Sequence, residues 1–222
     1  MTRKPGAHTL LELLQKPPEV FAGLMPLARN LYAPRLYLRR CRKSDAAELL
    51  ELLTRNRAYL DQWLQPQPEK LKIADVNALI AEDHVLARRG QRIDLGIFAR
   101  ETHRLIGRVA MHSVDYGIQR STGLSYWLDE KMTGQGLMKE AIATLVSFAF
   151  EEACLHRVWL NIINQNAPSL AIANQLGFQK EGIKRQSLFV SGSWCDATHL
   201  AMLENDYDRV ADHWIKMKFL GA

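Results

Sequence analysis

Between Asp129 and Lys139 the chain carries two glycines two residues apart, in Thr133-Gly134-Gln135-Gly136-Leu137-Met138. An apolar stretch, Tyr126-Trp127-Leu128, precedes them and a helix-periodic one follows. A strand that turns through glycines into a helix leaves the first backbone N–H groups of that helix without internal acceptors. The helix dipole adds about half a positive charge there, and glycine lets a ligand approach the backbone because no Cβ intervenes. This arrangement suits the holding of a diphosphate. By spacing alone, the same residues also suit an ordinary turn between strand and helix. Two familiar phosphate patterns are absent: the third glycine of Gly-x-Gly-x-x-Gly is replaced by Lys139, and no Gly-Lys-Ser/Thr follows.

The loop needs elements to hold it. Leu124 to Leu128 reads as a strand, and Gly136 to Glu152 as a helix with Ile142, Leu145, Val146 and Ala149 on one face. Upstream, Leu36 to Arg40 alternates as a strand. Ser44 can cap a helix from Asp45 whose apolar face is Leu49, Leu50, Leu52 and Leu53. Tyr59 to Gln65 reads as a short helix before Pro66. Val76, Leu79, Ile80 and Leu86 mark a helix stopping near Gly90. Ile93 to Ala99 and Leu105 to Val114 are strands joined by the polar turn Glu101 to Arg104, and the polar loop Asp115 to Gly123 leads back to the glycine segment. Downstream come a strand through Val158, Leu160 and Ile162, a helix Leu170 to Leu176 closed by Gly177, and strands over Phe178 to Val190 and Asp196 to Leu203. The order is mixed α/β (α+β) without regular alternation, which disfavours a doubly wound nucleotide fold.

The chain has 222 residues, enough for one well-cored domain with an appendage. Residues 1–34 read as a helical extension, 35–205 as the domain and 206–222 as a helical tail. In the extension, Leu10, Leu11, Leu13 and Leu14 suggest a helix stopped by Pro17-Pro18. The apolar patch Val20 to Leu27 suits packing on the domain or on a second subunit, so a homodimer is one expectation. No apolar run is long enough to span a membrane, and no signal-peptide core follows the basic N-terminus. The three cysteines, Cys41, Cys154 and Cys195, show no metal-ligand spacing, so no metal and a reducing cytoplasm are expected. A net charge of +5 suits an anionic partner, but no basic run with interleaved aromatics points to nucleic acid.

Four blocks in order carry a resemblance: Tyr126-Trp127-Leu128-Asp129-Glu130, Gly134-Gln135-Gly136-Leu137-Met138-Lys139-Glu140-Ala141, Asn166-Ala167-Pro168-Ser169, and Leu176-Gly177-Phe178-Gln179-Lys180-Glu181-Gly182. Together they resemble the GNAT superfamily, most closely its RimJ/RimL-type branch of ribosomal-protein N-terminal acetyltransferases. Gly192-Ser193-Trp194-Cys195-Asp196 is similar to that branch's late hairpin. The resemblance implies a mixed, mostly antiparallel sheet flanked by helices, and acetyl-CoA as acetyl donor. It implies that Thr133, Gly134, Gln135, Gly136, Leu137 and Met138 cradle the coenzyme diphosphate. Tyr126, Trp127 and Leu128 would pair with pantetheine like an added strand, Asn166 would hold the pantetheine arm, and Ser169 would lie near the sulfur. There are departures. Thr133 opens the loop where Gln or Arg is usual, and Met138 stands where Gly or Ala is frequent. No Glu stands near Asn161, no Tyr near Ala173, and Leu188 occupies a position where the RimL-like branch offers Glu.

The implied reaction is attack of an amine on a thioester carbonyl. Ser169 can donate a proton to the departing thiolate, or cap the helix it begins. His112 and Asp115, at a strand end facing the implied cleft, are the candidate bases. Trp63 and Trp194 are candidates for lining the acceptor pocket, with a packing role as the alternative for each. Without a strong base, an α-amine (pKa about 8) offers far more free base at neutral pH than lysine (about 10.4). A protein or peptide N-terminus is therefore the preferred acceptor, with association with the ribosome a further expectation. A small amine, such as an antibiotic or aminoacyl compound, is the alternative, and a non-catalytic CoA- or ribosome-binding module is the competing class.

Overall fold

The computed structural model describes residues 29–64, 68 and 70–220. The helix and apolar patch read within residues 1–28 lie outside them. The strands are β1 (Leu31–Tyr32), β2 (Leu36–Arg39), β3 (Ile93–Ala99), β4 (Leu105–Asp115), β5 (Ser121–Leu128), β6 (Arg157–Ile163), β7 (Gln179–Val190) and β8 (Ser193–Leu203). They form one sheet in the order β1-β2-β3-β4-β5-β6-β8-β7, and every neighbouring pair is antiparallel except β5 with β6. The helices are α1 (Ala46–Arg55), α2 (Arg57–Leu60), α3 (Ile73–Arg88), α4 (Leu137–Glu151), α5 (Ala167–Gln175) and α6 (Glu204–Lys216). Among the described residues no helix is long and apolar enough to cross a membrane.

Two cores follow from the two faces of the sheet. α4 is buried on nearly all sides, as expected of a helix apolar all round. It packs with Val158, Leu160 and Ile162 of β6 and with Trp214 of α6 on one face. On the other face Leu49, Leu52 and Leu53 of α1 and Val76 and Ile80 of α3 cover Tyr37, Phe98 and Leu105. Those two helices leave the β6–β8–β7 half of that face to half-buried polar and aromatic side chains such as Trp159 and His199.

Several elements differ from the sequence expectation, three of them near the site. Ser44 does not cap α1. It lies in a 3-10 turn, Lys43–Asp45, closed by Asp45, which accepts a hydrogen bond from the Arg42 amide (2.6 Å) and pairs with Arg39. β5 begins at Ser121 rather than Leu124, because Ser121, Thr122 and Gly123 are the residues that pair with β6. β1 and the core residue Ala33 fall inside the stretch read as a helical extension.

Candidate functional site

β5 and β6 run parallel only over Ser121–Arg157, Thr122–Val158 and Gly123–Trp159. Beyond that point β6 stays with β8, as far as Ile163–Ala197, and β5 stays with β4, as far as Leu128–Gly107. The strands therefore part, and the β5 edge from Leu124 to Leu128 faces a notch with main-chain groups that no neighbouring strand takes up. Glycine sets the apex. A Cβ on Gly123 would meet the His112 ring at 2.4 Å and the Trp159 ring at 2.6 Å. Only a residue without a side chain lets those two rings close edge-to-face over β5, with centroids 5.2 Å apart.

The glycine loop stands at the open end of the notch. Gly134 (φ +74°) and Gly136 (φ +79°) both occupy the left-handed region that side chains disfavour. Gly136 is the N-cap of α4, and the first intrahelical bonds run from the Lys139 and Glu140 amides to its carbonyl. The amides from Gly134 to Met138 thus have no acceptor among the described residues, and nothing lies within 4 Å of a Cβ built on Gly134. Leu137 and Met138 bury their side chains in the core, which fixes the direction of their amides. Thr133 and Gln135 turn back on the preceding turn, to the carbonyls of Glu130 (2.7 Å) and Lys131 (3.5 Å). α1 bolts this segment in place. Arg55 binds Asp129 (2.7 Å), and buried Asn56 accepts from the Glu130 amide (2.9 Å) while donating to the Leu52 carbonyl (2.9 Å). Burial raises the Asp129 carboxyl, but hydrogen bonds from Arg55 and Asn56 outweigh it and hold the group below its ordinary value.

Across the notch, Asn166 caps α5 by accepting from the Ser169 amide (3.1 Å), so its carbonyl oxygen is used and its NH2 group remains. Tyr126 reaches over from β5 and donates to the Ser169 carbonyl (3.4 Å), and burial pushes its phenol up to about 12. The structure thus brings Tyr126, Asn166 and Ser169 together. It separates the two candidate bases. His112 sits at the notch apex, half-buried, with burial holding its imidazole below the ordinary value. Asp115 is opposite Ser121, at the closed end, where it accepts from the Gly117 amide (2.6 Å) as a turn residue. The sequence reading placed it facing the cleft, but the β4 register carries it away.

On the α1–α3 side of β5 lies a pocket of ≈ 210 Å³, walled by Leu53, Leu60, Leu64 and Leu79 and bordered by Ser125 and Trp127. Its floor is charged. Arg108 of β4 pairs with Asp83 of α3 and with Asp94 of β3 (3.2 Å), and Arg92 also binds Asp94 (2.7 Å). Burial pushes the Asp83 carboxyl up to about 6, Arg108 pulls it back in part, and Asp94 adds to the rise. Arg108 Nε is buried without a hydrogen-bond partner. The sequence reading missed this floor. Its signal was a lone charge in the middle of each of two apolar strands, Ile93-Asp94-Leu95 and Gly107-Arg108-Val109.

Trp63 and Trp194 do not line that pocket. Trp63 lies half-buried in the turn after α2, whose neighbours Leu60, Asp61 and Leu64 do line it. Trp194 is 61% exposed, edge-on to Phe189. Its hairpin nevertheless reaches the rim, where Ser191 donates to the Asp61 carbonyl (2.7 Å). Asp196 shapes that hairpin by accepting from the Gln186 amide (2.8 Å) at a register shift in β7.

Residues 35–179 match the family model of the acetyltransferase (GNAT) domain. YjcK of Bacillus subtilis (strain 168), a probable N-acetyltransferase, is 30% identical over 172 residues, covering 77% of this chain and 95% of that protein. The ribosomal protein uS5-alanine N-acetyltransferase of Escherichia coli (strain K12) is 26% identical over 179 residues, covering 80% of this chain and 92% of that one. Among solved structures, Mycobacterium smegmatis RimJ in complex with CoA-disulfide superposes with a TM-score of 0.77 at 23% identity, over 85% of this chain and 92% of that one, which is a likeness of fold.

Proposed function

The chain belongs to the GNAT acetyltransferase family, and from that premise we propose that it moves the acetyl group of acetyl-CoA to the N-terminal α-amine of a protein or peptide. It is an N-acetyltransferase of the GNAT type. The observation that carries the finer reading is the parting of β5 from β6. It offers main-chain groups for a pantetheine arm, with a diphosphate-sized cluster of amides at one end and the charged pocket alongside. These residues suit the coenzyme. The unpaired amides from Gly134 to Met138 match an anion, and the positive φ of both glycines leaves room above them.

Acetyl-CoA supplies an activated carbonyl as its thioester. The protein supplies position, which converts a two-body encounter into a near-unimolecular step. The backbone N–H of Leu128, which points away from β4, would meet the developing oxyanion. Ser169, across from Tyr126, would donate its hydroxyl proton to the departing thiolate and regain one from water. Asn166 offers its NH2 to the pantetheine amides. His112, neutral at neutral pH because burial disfavours its charge, takes the proton of the attacking amine through water. Trp63 and Trp194 contact the acceptor beyond its first residue, at the rim that Asp61 and Ser191 join.

Among the described residues no carboxylate is hydrogen-bonded to His112, so the acceptor must bring much of its own free base. At neutral pH roughly a tenth of an α-amine is unprotonated, against about one part in two thousand of a lysine side chain. The uS5-alanine relative, which by its name acetylates an alanine of a ribosomal protein, supports a protein acceptor. Mass spectrometry of free-N-terminus, N-blocked lysine and small-amine acceptors incubated with acetyl-CoA tests it. Acetylation of free N-termini is expected. Acetylation confined to lysines or to small amines contradicts it. His112→Ala is expected to remove a limb on the acid side of the pH–rate curve, below about pH 6.5, and an unchanged curve removes His112 from the mechanism.

A further inference from the structure

On the coenzyme reading above, we infer that Arg35, held by the buried carboxylate of Glu140, is a diphosphate ligand that completes the anion site from the bend before β2, outside the glycine loop. Glu140 lies in the first turn of α4 and its side chain is 1% exposed. Helix side chains lean toward the N-terminus, so this carboxylate sits behind the loop amides, where a bare negative charge would oppose a phosphate. Arg35 cancels it with two donors, its amide (3.1 Å) and its Nε. The Arg35 carbonyl accepts from the Arg100 amide (2.9 Å), so the residue is fixed on both sides of its backbone.

With Nε taken by Glu140, the Nη groups of this half-exposed side chain point onward. Nη2 comes within 3.4 Å of where a Cβ on Gly136 would stand, beside the N-cap of α4, and neither Nη has an acceptor among the described residues. A planar guanidinium with one edge anchored and the other open is suited to bidentate pairing with phosphate oxygens. Lys139, the other cation near Gly136, is already tied to Gln175 (2.9 Å) and lies over the Phe219 ring.

The test compares wild type, Arg35→Gln, and the double variant Arg35→Gln with Glu140→Gln, by calorimetric Kd for CoA and for 3′-dephospho-CoA, and by KM for S-acetylpantetheine, which carries no phosphate. Arg35→Gln is expected to weaken CoA by about tenfold, the scale of one charge-assisted hydrogen bond, with the same factor for 3′-dephospho-CoA and no change in KM for S-acetylpantetheine. The double variant, which no longer buries an unpaired carboxylate, is expected to recover the wild-type Tm while keeping the tenfold loss. Equal CoA affinity in wild type and Arg35→Gln overturns the inference, as does recovery of affinity together with Tm, which would make Arg35 a purely structural partner of Glu140. Disappearance of the loss with 3′-dephospho-CoA also overturns it, by moving the contact to the 3′-phosphate. Wild type that binds no CoA at all overturns the coenzyme reading instead.

Discussion

The proposed donor and acceptor halves of the site are built from different material. The donor half is chiefly main chain: amides from Gly134 to Met138 and the free edge of β5, within one continuous stretch from residue 121 to residue 138, to which Asn166 and Arg35 add side chains. The acceptor half is side chain. Its lining runs from Leu53 to Trp127 through three helices and three strands, and its floor depends on four charges that balance one another. A site made of backbone tolerates exchange of its side chains but not the addition of a Cβ where φ is positive. A site made of side chains has the reverse sensitivity.

The largest effect expected is in the acceptor half. Arg108→Ala leaves Asp83 buried without its ion-pair partner, while Asp94 keeps Arg92, and a loss of about 3–5 kcal/mol in unfolding free energy is expected by denaturant titration. Arg108→Met, which keeps the packing, costs less only if Asp83 takes up a proton. Next comes the donor half. Gly136→Ala forces a side chain into φ +79°, at about 1–2 kcal/mol, and an affinity loss of about tenfold for acetyl-CoA. Thr133→Ala and Gln135→Ala in the same loop are expected to leave that affinity within a factor of about three, because Gln135 contributes its amide rather than its side chain and Thr133 spends both its amide and its hydroxyl on the Glu130 carbonyl. Equal losses from all three would erase the contrast between the halves.

Asn56→Ala sharpens it from the side of the support. It removes a buried amide that serves two backbone groups, at about 1–2 kcal/mol, and is expected to weaken acetyl-CoA while the acceptor KM stays near wild type. The smallest effect concerns pH. The Asp83 carboxyl is raised from 3.8 to about 6 in the folded state, so the folded chain holds this proton more tightly than the unfolded one. The resulting stability is fully present below about pH 4 and is lost as pH rises through 6. Asp83→Asn should remove that slope, read as Tm against pH from 4 to 8. An unchanged slope would assign the titration to another group.

The same division decided what could be read in the sequence. The glycine loop, the strand before it and the helix after it were legible because a backbone site must be local, and glycines mark where the backbone needs special angles. The Asn166 to Ser169 turn was legible for the same reason, although its principal hydrogen bond turned out to be the cap on α5. The pocket floor was not legible. Arg108, Asp83 and Asp94 meet only through the β3–β4 register and the seat of α3, and nothing in linear spacing fixes either. Asp115 was misplaced because its side depended on where β5 begins, and Ser121 to Gly123 look like loop residues until pairing with β6 makes them strand. The Arg35–Glu140 pair spans 105 positions; its only trace was a carboxylate beside the apolar run of α4.

A crystal structure of the acetyl-CoA complex is the most direct measurement. The predicted result has the diphosphate on the amides from Gly134 to Met138, the pantetheine alongside Leu124 to Leu128 between β5 and β6, and the thioester opening toward Ser125 and the pocket. Coenzyme bound elsewhere, or a notch between β5 and β6 that stays closed to it, would contradict the role assigned to both halves.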